Sequence, residues 1–252
     1  MACRISDNGW KEGVARTMSQ ACTYMMDVQK SLIQIHGKQT HIPFSHIINA
    51  FQKGVLQSSL TAGCVYGTYF HIYKSCNDQP YANALATFVT SLLKIPISNS
   101  MRLIQLTPHE TTNLISAGRK IIKNQGVRGL YNGYGLSFIE DFIEMELRDR
   151  LFQWVELWCI QQKLPIRQHE IGFIGGAIAG ASVAFLTTPF DTLRCHLAYQ
   201  SGTITQQKVN VLYTISTLLS QQGCQSFYRG ANIRATSTGI RMALFYMFMK
   251  VL

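Results

Sequence analysis

Apolar residues gather along the chain into six stretches of roughly twenty residues, the length a helix needs to cross a bilayer. They begin near Gly13, Gly54, Ala82, Gly133, Gly172 and Gly230. None is an unbroken apolar run. Each carries small or polar residues on one face, the pattern expected when that face borders a cavity and the other meets lipid. The pattern predicts an all-α protein, and hydropathy alone leaves room for the buried helices of a soluble one.

Two short strings recur in the same order and narrow that choice. PFDTLR at Pro189 to Arg194 precedes GCQSFYRG at Gly223 to Gly230, and PISNSM at Pro96 to Met101 precedes GVRGLYNG at Gly126 to Gly133. A worn copy stands upstream as MMDVQK at Met25 to Lys30, followed by FQKG at Phe51 to Gly54. The copies lie roughly 70 to 95 residues apart, too long for a solenoid period. Three repeats are predicted, over approximately 8–76, 80–160 and 170–252 of a single 1–252 domain. Each holds two long apolar helices flanking a short amphipathic one.

Composition agrees with a membrane setting. Hydrophobic residues make up 47% and charged residues 14%, against about 25% charged in an ordinary soluble domain. The net charge of +10 is concentrated in loops inside the repeats, at Lys38 and Lys53, at Arg119, Lys120, Lys123 and Arg128, and at Lys208 and Arg229. That placement suits an anionic membrane surface. No nucleic-acid module accompanies it, so no nucleic-acid partner is expected. The seven cysteines include no CxxC pair and no histidine at metal spacing, so neither a disulfide framework, a metal site nor a cofactor is expected. Met1 to Lys11 lacks a charged start followed by an apolar core, and no secretory signal is expected. The dispersed histidines, with His36, His41 and His46 in one loop, stand beside no nucleophile motif, which argues against an enzyme.

The tandem order of the hexad and the glycine-bounded aromatic string resembles the mitochondrial carrier family over nearly the whole chain. The resemblance implies a monomer in the mitochondrial inner membrane, although other organelles also hold such carriers. It further implies six transmembrane helices in a pseudo-threefold barrel, three short matrix-side helices and alternating access to one central site. Proline inside such a helix removes a hydrogen bond and kinks it, so Pro96 and Pro189 are candidate kinks. An acid and a base three residues apart share one helix face and can bridge to neighbouring helices. The candidate matrix gate comprises Asp27, Lys30, Asp191 and Arg194, with Gln34 and Gln105 as braces. Lys30 can pair with Asp191, whereas the family's geometry sets Asp27 opposite Met101 and Arg194 opposite Ser98; Arg102 lies one position from the expected base. At the opposite end the family's acids are missing from Tyr73-Lys74, Phe152-Gln153 and Met249-Lys250.

The Gly176 and Gly180 pair suits close helix packing. By resemblance, Tyr131, Gly133, Tyr228, Gly230 and the worn Gly54 mark helix starts that receive a cardiolipin phosphate. Substrate contacts are expected at Thr61, Glu140, Asp141 and Ser237, with Glu144 and Arg241 one turn deeper. The intramembrane carboxylates argue for an amino-bearing or cationic small-molecule solute. Glu140→Gln together with Asp141→Asn is expected to abolish uptake while leaving the amount of folded protein unchanged. Glu144 has Arg148 or Arg241 as a candidate structural partner. The second and third repeats resemble S-adenosylmethionine carriers, through GLYNGY at Gly129 to Tyr134 and LTTPFD at Leu186 to Asp191, though Glu140 replaces an arginine of that pattern. The third repeat also resembles ADP/ATP carriers, leaving an adenine-nucleotide solute as one alternative and a non-transporting interaction protein as another.

Overall fold

The computed structural model describes residues 9–37, 44–76, 81–111, 113–162, 167–204 and 210–251. Met1, Lys38, His41 and Lys208, named above, lie outside them. The described residues form eight α-helices and no strand: α1 (Trp10–His36), α2 (Phe44–Ser75), α3 (Ala82–Leu106), α4 (Leu114–Gln125), α5 (Tyr134–Gln161), α6 (Gln168–Thr203), α7 (Val211–Gln222) and α8 (Ala231–Val251). Single 3-10 turns, Val127–Tyr131 and Cys224–Tyr228, precede α5 and α8.

The recurring glycine string is a stop–turn–stop instruction. Gly126 ends α4 at φ 71° and Gly133 opens α5 at φ 78°; Gly223 and Gly230 repeat this around the second turn at 70° and 73°. A side chain in that left-handed region costs about 1–2 kcal/mol, so glycine is what permits two helix breaks within eight residues. Polar residues fix the starts of the short helices. The Asn113 amide donates to Ser116 Oγ at 3.0 Å, and Asn210 Oδ1 accepts from the Leu212 amide at 3.0 Å.

The first repeat departs from expectation in this respect. Among the described residues it has no separate short helix, because α2 starts at Phe44 and runs on through Gly54. The upstream copy has lost the paired glycines that break the helix in the other repeats. Gly54 instead serves close packing: a Cβ there would lie 1.9 Å from the Tyr24 hydroxyl of α1. It is therefore not a helix start, and its amide lies within the helix instead of at a free N-terminal end.

The long helices pack in chain order, α1 on α2, α2 on α3, α3 on α5, α5 on α6 and α6 on α8, and α8 returns to α1. Helices α1, α3 and α6 also touch one another. The tightest approach is α6 against α8, where a Cβ on Gly176 would meet the Met242 carbonyl at 2.6 Å and one on Gly180 the Thr238 carbonyl at 2.8 Å. Pro96 and Pro189 lie inside α3 and α6.

The distribution of polarity is inverted relative to a water-soluble bundle. Leu56, Leu93, Trp154 and Leu186 are 58–68% exposed, while Gln34, Glu140, Asp191, Arg194 and Arg234 are at most 5% exposed. Apolar side chains outside and charges inside suit a protein whose outer solvent is lipid. Among the described helices only α6 contains a window apolar enough to qualify as a span by itself, with mean hydropathy 1.7. The inward charges lower the hydropathy of other long helices.

Candidate functional site

Between the helices lies a cavity of about 240 Å³. One end is closed by a cluster centred on Asp191 of α6. Its carboxylate accepts from Lys30 Nζ at 2.9 Å, Gln34 Nε2 at 2.9 Å and Arg102 Nη2 at 2.6 Å, and Arg234 Nε approaches to 3.4 Å. Four helices, α1, α3, α6 and α8, thus converge on one side chain. Beside it Ser31 of α1 donates to Gln105 Oε1 of α3 at 2.8 Å.

A second network joins α3, α5, α6 and α8. Arg194 Nη1 of α6 meets Glu140 Oε2 of α5 at 2.6 Å, and Arg234 of α8 meets Glu140 Oε1 at 2.8 Å while also pairing with Glu144. Thr187 donates to Glu144 at 3.0 Å, and Lys94 of α3 holds Asp141 at 2.6 Å. On α1, Asp27 pairs with Arg241 and accepts from Ser237 at 2.8 Å and Gln20 at 2.9 Å.

Several expectations change with these contacts. The predicted Lys30 and Asp191 pair is present, Gln34 joins it, and Arg102 supplies the base its neighbouring position suggested. Asp27 and Arg194 find opposite charges on α8 and α5, at Arg241 and Glu140. Glu144 pairs with Arg234, neither with Arg148 nor with Arg241. Thr61, Glu140, Asp141, Glu144 and Arg241 line the cavity, whereas Ser237 is fully buried and spent on Asp27.

The midplane is also not acidic. The lining has five carboxylates, Asp27, Glu140, Asp141, Glu144 and Asp191, each within an ion pair. It has eight basic side chains, so the cavity carries a surplus of three positive charges. The expected solute contacts on α5 supplied acids, and Arg102 and Arg194 were read only as gate residues; Lys94 on α3 was not singled out, and Arg234 on α8 stands one turn before the expected contact positions. Treating every intramembrane charge as a candidate for the solute site would have added Lys94 and Arg234.

At the other end Lys74 of α2 meets Glu12 of α1 at 3.0 Å, so an acid from α1 supplies a partner that the α2 sequence lacks. Phe152 stacks on Tyr246 with ring centroids 3.8 Å apart. The repeats also share a contact that pattern reading missed. Asn99, three residues after Pro96, donates to the Leu130 carbonyl at 2.8 Å, and Thr192, three residues after Pro189, donates to the Phe227 carbonyl at 2.9 Å. Each ties its hexad to the turn that starts the next long helix. At those turns Tyr131 and Tyr228 are 39% and 47% exposed, beside the positive-φ Gly133 and Gly230.

The family profile described as "Mitochondrial carrier protein" matches residues 74–148 and 170–252. The chain belongs to the mitochondrial carrier family, multi-pass transport proteins of the mitochondrial inner membrane with relatives in the chloroplast, and not enzymes. A mitochondrial glycine transporter of Aspergillus niger is 24% identical over 78% of this chain and 63% of its own length. Another of that name, from Neosartorya fischeri, is 28% identical over 52% of this chain and 41% of its own length. A probable chloroplastic S-adenosylmethionine carrier of Arabidopsis thaliana is 27% identical over 93% of this chain and 70% of its own length. The chain thus spans less than two thirds of both glycine-transporter relatives.

Proposed function

We propose that this chain is a membrane carrier that moves a small amino acid by alternating exposure of its central cavity to the two sides of the membrane. The observation that carries this reading is the cavity itself: five carboxylates for an ammonium group and a surplus of three positive charges for a carboxylate, within about 240 Å³. A purely cationic solute gains nothing from that surplus, whereas a zwitterion is served by both signs. The volume lies below the roughly 300–1,000 Å³ of pockets that enclose drug-sized ligands. Of the solutes in the relatives' names, glycine is therefore favoured over the larger S-adenosylmethionine.

The rest of the proposal follows the family plan. The six long helices form a pseudo-threefold barrel of three repeats, kinked at Pro96 and Pro189, that acts as a monomer. The Asp191 cluster, with Asp27, Lys30, Arg194, Gln34 and Gln105, is the matrix gate. Glu140, Asp141, Glu144, Thr61 and Arg241 contact the solute, with Ser237 holding Asp27. The helix starts at Tyr131-Gly133 and Tyr228-Gly230 receive cardiolipin phosphate. The positive surplus also favours a second reading, an adenine nucleotide, which requires the cavity to widen.

The test is uptake by the purified full chain in cardiolipin-containing proteoliposomes, with labelled glycine, S-adenosylmethionine and ATP. Saturable glycine uptake is expected. ATP uptake without glycine uptake would establish the nucleotide reading. Absence of uptake of all three by protein that melts cooperatively would leave a carrier-like interaction protein.

A further inference from the structure

Two of the eight cavity bases stand outside the carboxylate networks just described. Arg16 of α1 has no carboxylate within ion-pair distance among the described residues. Its Nη1 reaches only the Met242 thioether at 4.0 Å, a weak acceptor, and its Nε is buried without a hydrogen-bond partner. Arg148 of α5 is 5% exposed; its Nη2 lies 2.5 Å from the Met145 sulfur, and its Nε is 3.9 Å from Asp149, a side chain 45% exposed. Both guanidiniums pack over the ring of Tyr66 on α2, at 4.4 Å and 5.7 Å from its centroid. All three side chains line the cavity.

A guanidinium removed from water costs several kcal/mol unless paired. A ring face and a thioether recover only part of that. Two such groups from different helices, directed at one cavity and lacking strong acceptors, form a site for a planar anion, because the guanidinium fork matches a carboxylate. The Asp191 and Glu140 networks use their bases internally and offer no equivalent.

We propose that Arg16, Arg148 and Tyr66 form the subsite that receives the carboxylate of the transported solute, leaving its ammonium group to the acidic side chains deeper in the cavity. This rests on the amino-acid reading for the identity of the solute, while the anion site itself stands on the three side chains. It predicts that an amino acid stripped of its carboxylate loses most of its affinity, whereas a bare carboxylate retains some.

The experiment is a thermal-shift titration of the detergent-purified full chain with glycine, methylamine and acetate, repeated on Arg16→Gln/Arg148→Gln and on Arg16→Lys/Arg148→Lys. Wild type should be stabilised by glycine and by millimolar acetate, and little by methylamine. The glutamine double variant should bind both carboxylates about ten- to a hundredfold more weakly, the loss expected for charge-assisted hydrogen bonds. The lysine variant, which keeps the charge and loses the fork, should fall between and serves where the glutamine variant does not fold. Glycine binding unchanged in the variants overturns the subsite and keeps the amino-acid reading. Acetate binding lost in the variants, with no glycine binding by wild type, keeps the subsite and removes the amino-acid reading. Wild type that binds neither carboxylate overturns both.

Discussion

Asp191→Asn removes one charge from a nearly isosteric side chain. Asp191 is 2% exposed and faces Lys30, Arg102 and Arg234. The variant leaves Lys30 and Arg102 without a carboxylate at ion-pair distance among the described residues, while Arg234 keeps Glu140 and Glu144. Removing one member of a buried ion pair costs about 3–5 kcal/mol, because the survivor stays desolvated. At roughly 2–4 °C per kcal/mol for a chain of this size, the melting temperature should fall by about 6–20 °C. Lys30→Met should cost much less, since Asp191 keeps Gln34, Arg102 and Arg234 and the lysine is 13% exposed. Cys195 provides a second, local readout: it is fully buried beside this cluster, with its thiol 3.8 Å from the Ser31 carbonyl. Thiol labelling resolved by peptide mass should therefore accelerate at Cys195 in Asp191→Asn. Equal melting of the two variants, with Cys195 labelling unchanged, would refute the view that Asp191 is the hub.

Glu140→Gln should lower the yield of monodisperse protein on size exclusion, because in a site where side chains are 2–7% exposed it leaves Arg194 with Asp141 alone, at 3.8 Å, and takes one of the three carboxylates from Arg234. Glu144→Gln, at a side chain 23% exposed, should be milder; an equal yield for both would remove this ranking. That outcome replaces the sequence-based expectation that the midplane carboxylates can be neutralised without affecting the folded protein. Gly176→Ala should destabilise by about 1–3 kcal/mol through overpacking, since its Cβ meets the Met242 backbone. Gly135→Ala meets nothing within 4 Å and should be neutral or stabilising by about 0.5–1 kcal/mol, so a melt that ranks the two glycines otherwise would count against the packing. Glu110 is held below the usual carboxylate range by its hydrogen bond to Lys120 and that ammonium's charge. Because its folded value is depressed, its contribution is present above the unfolded value near ~4.3 and is lost as pH falls through the folded one. The pair is exposed, so Glu110→Gln should flatten a small acid-side slope of melting temperature at low salt and do nothing at high salt. A slope that persists in the variant would assign it elsewhere.

The parts of the fold that were legible in the sequence are those where one residue type is required by backbone geometry. Gly126, Gly133, Gly223 and Gly230 adopt positive φ, and their spacing placed the breaks before α5 and α8. Where that requirement had lapsed, the repeat analogy misled. The upstream FQKG kept a glycine but lost its companion, and the residue acts as the notch for Tyr24 within an unbroken α2. A glycine required for its φ and one required for its lack of volume look identical in a single sequence. Only the second glycine of the pair separates them.

The site was legible residue by residue but not in its sum. Helical register puts the acid and base of each hexad on one face, and the family resemblance supplied which helices face each other; Lys30 and Asp191 do meet. The charge of the cavity does not follow from register. It depends on which long side chains from α1, α3, α5, α6 and α8 reach the same space, and arginine reaches across helices from positions a turn away. Arg234 is the case in point: one residue on α8 bridges Glu140, Glu144 and Asp191, joining the midplane to the closed end. That bridge couples two regions that family analogy treats as separate, the solute site and the gate. Any solute group that competes for Glu140 or Glu144 loosens Arg234 and thereby weakens one of the bonds on Asp191. On the proposed function, this chain of adjacent ion pairs is the link through which a solute would favour one state of the carrier over the other.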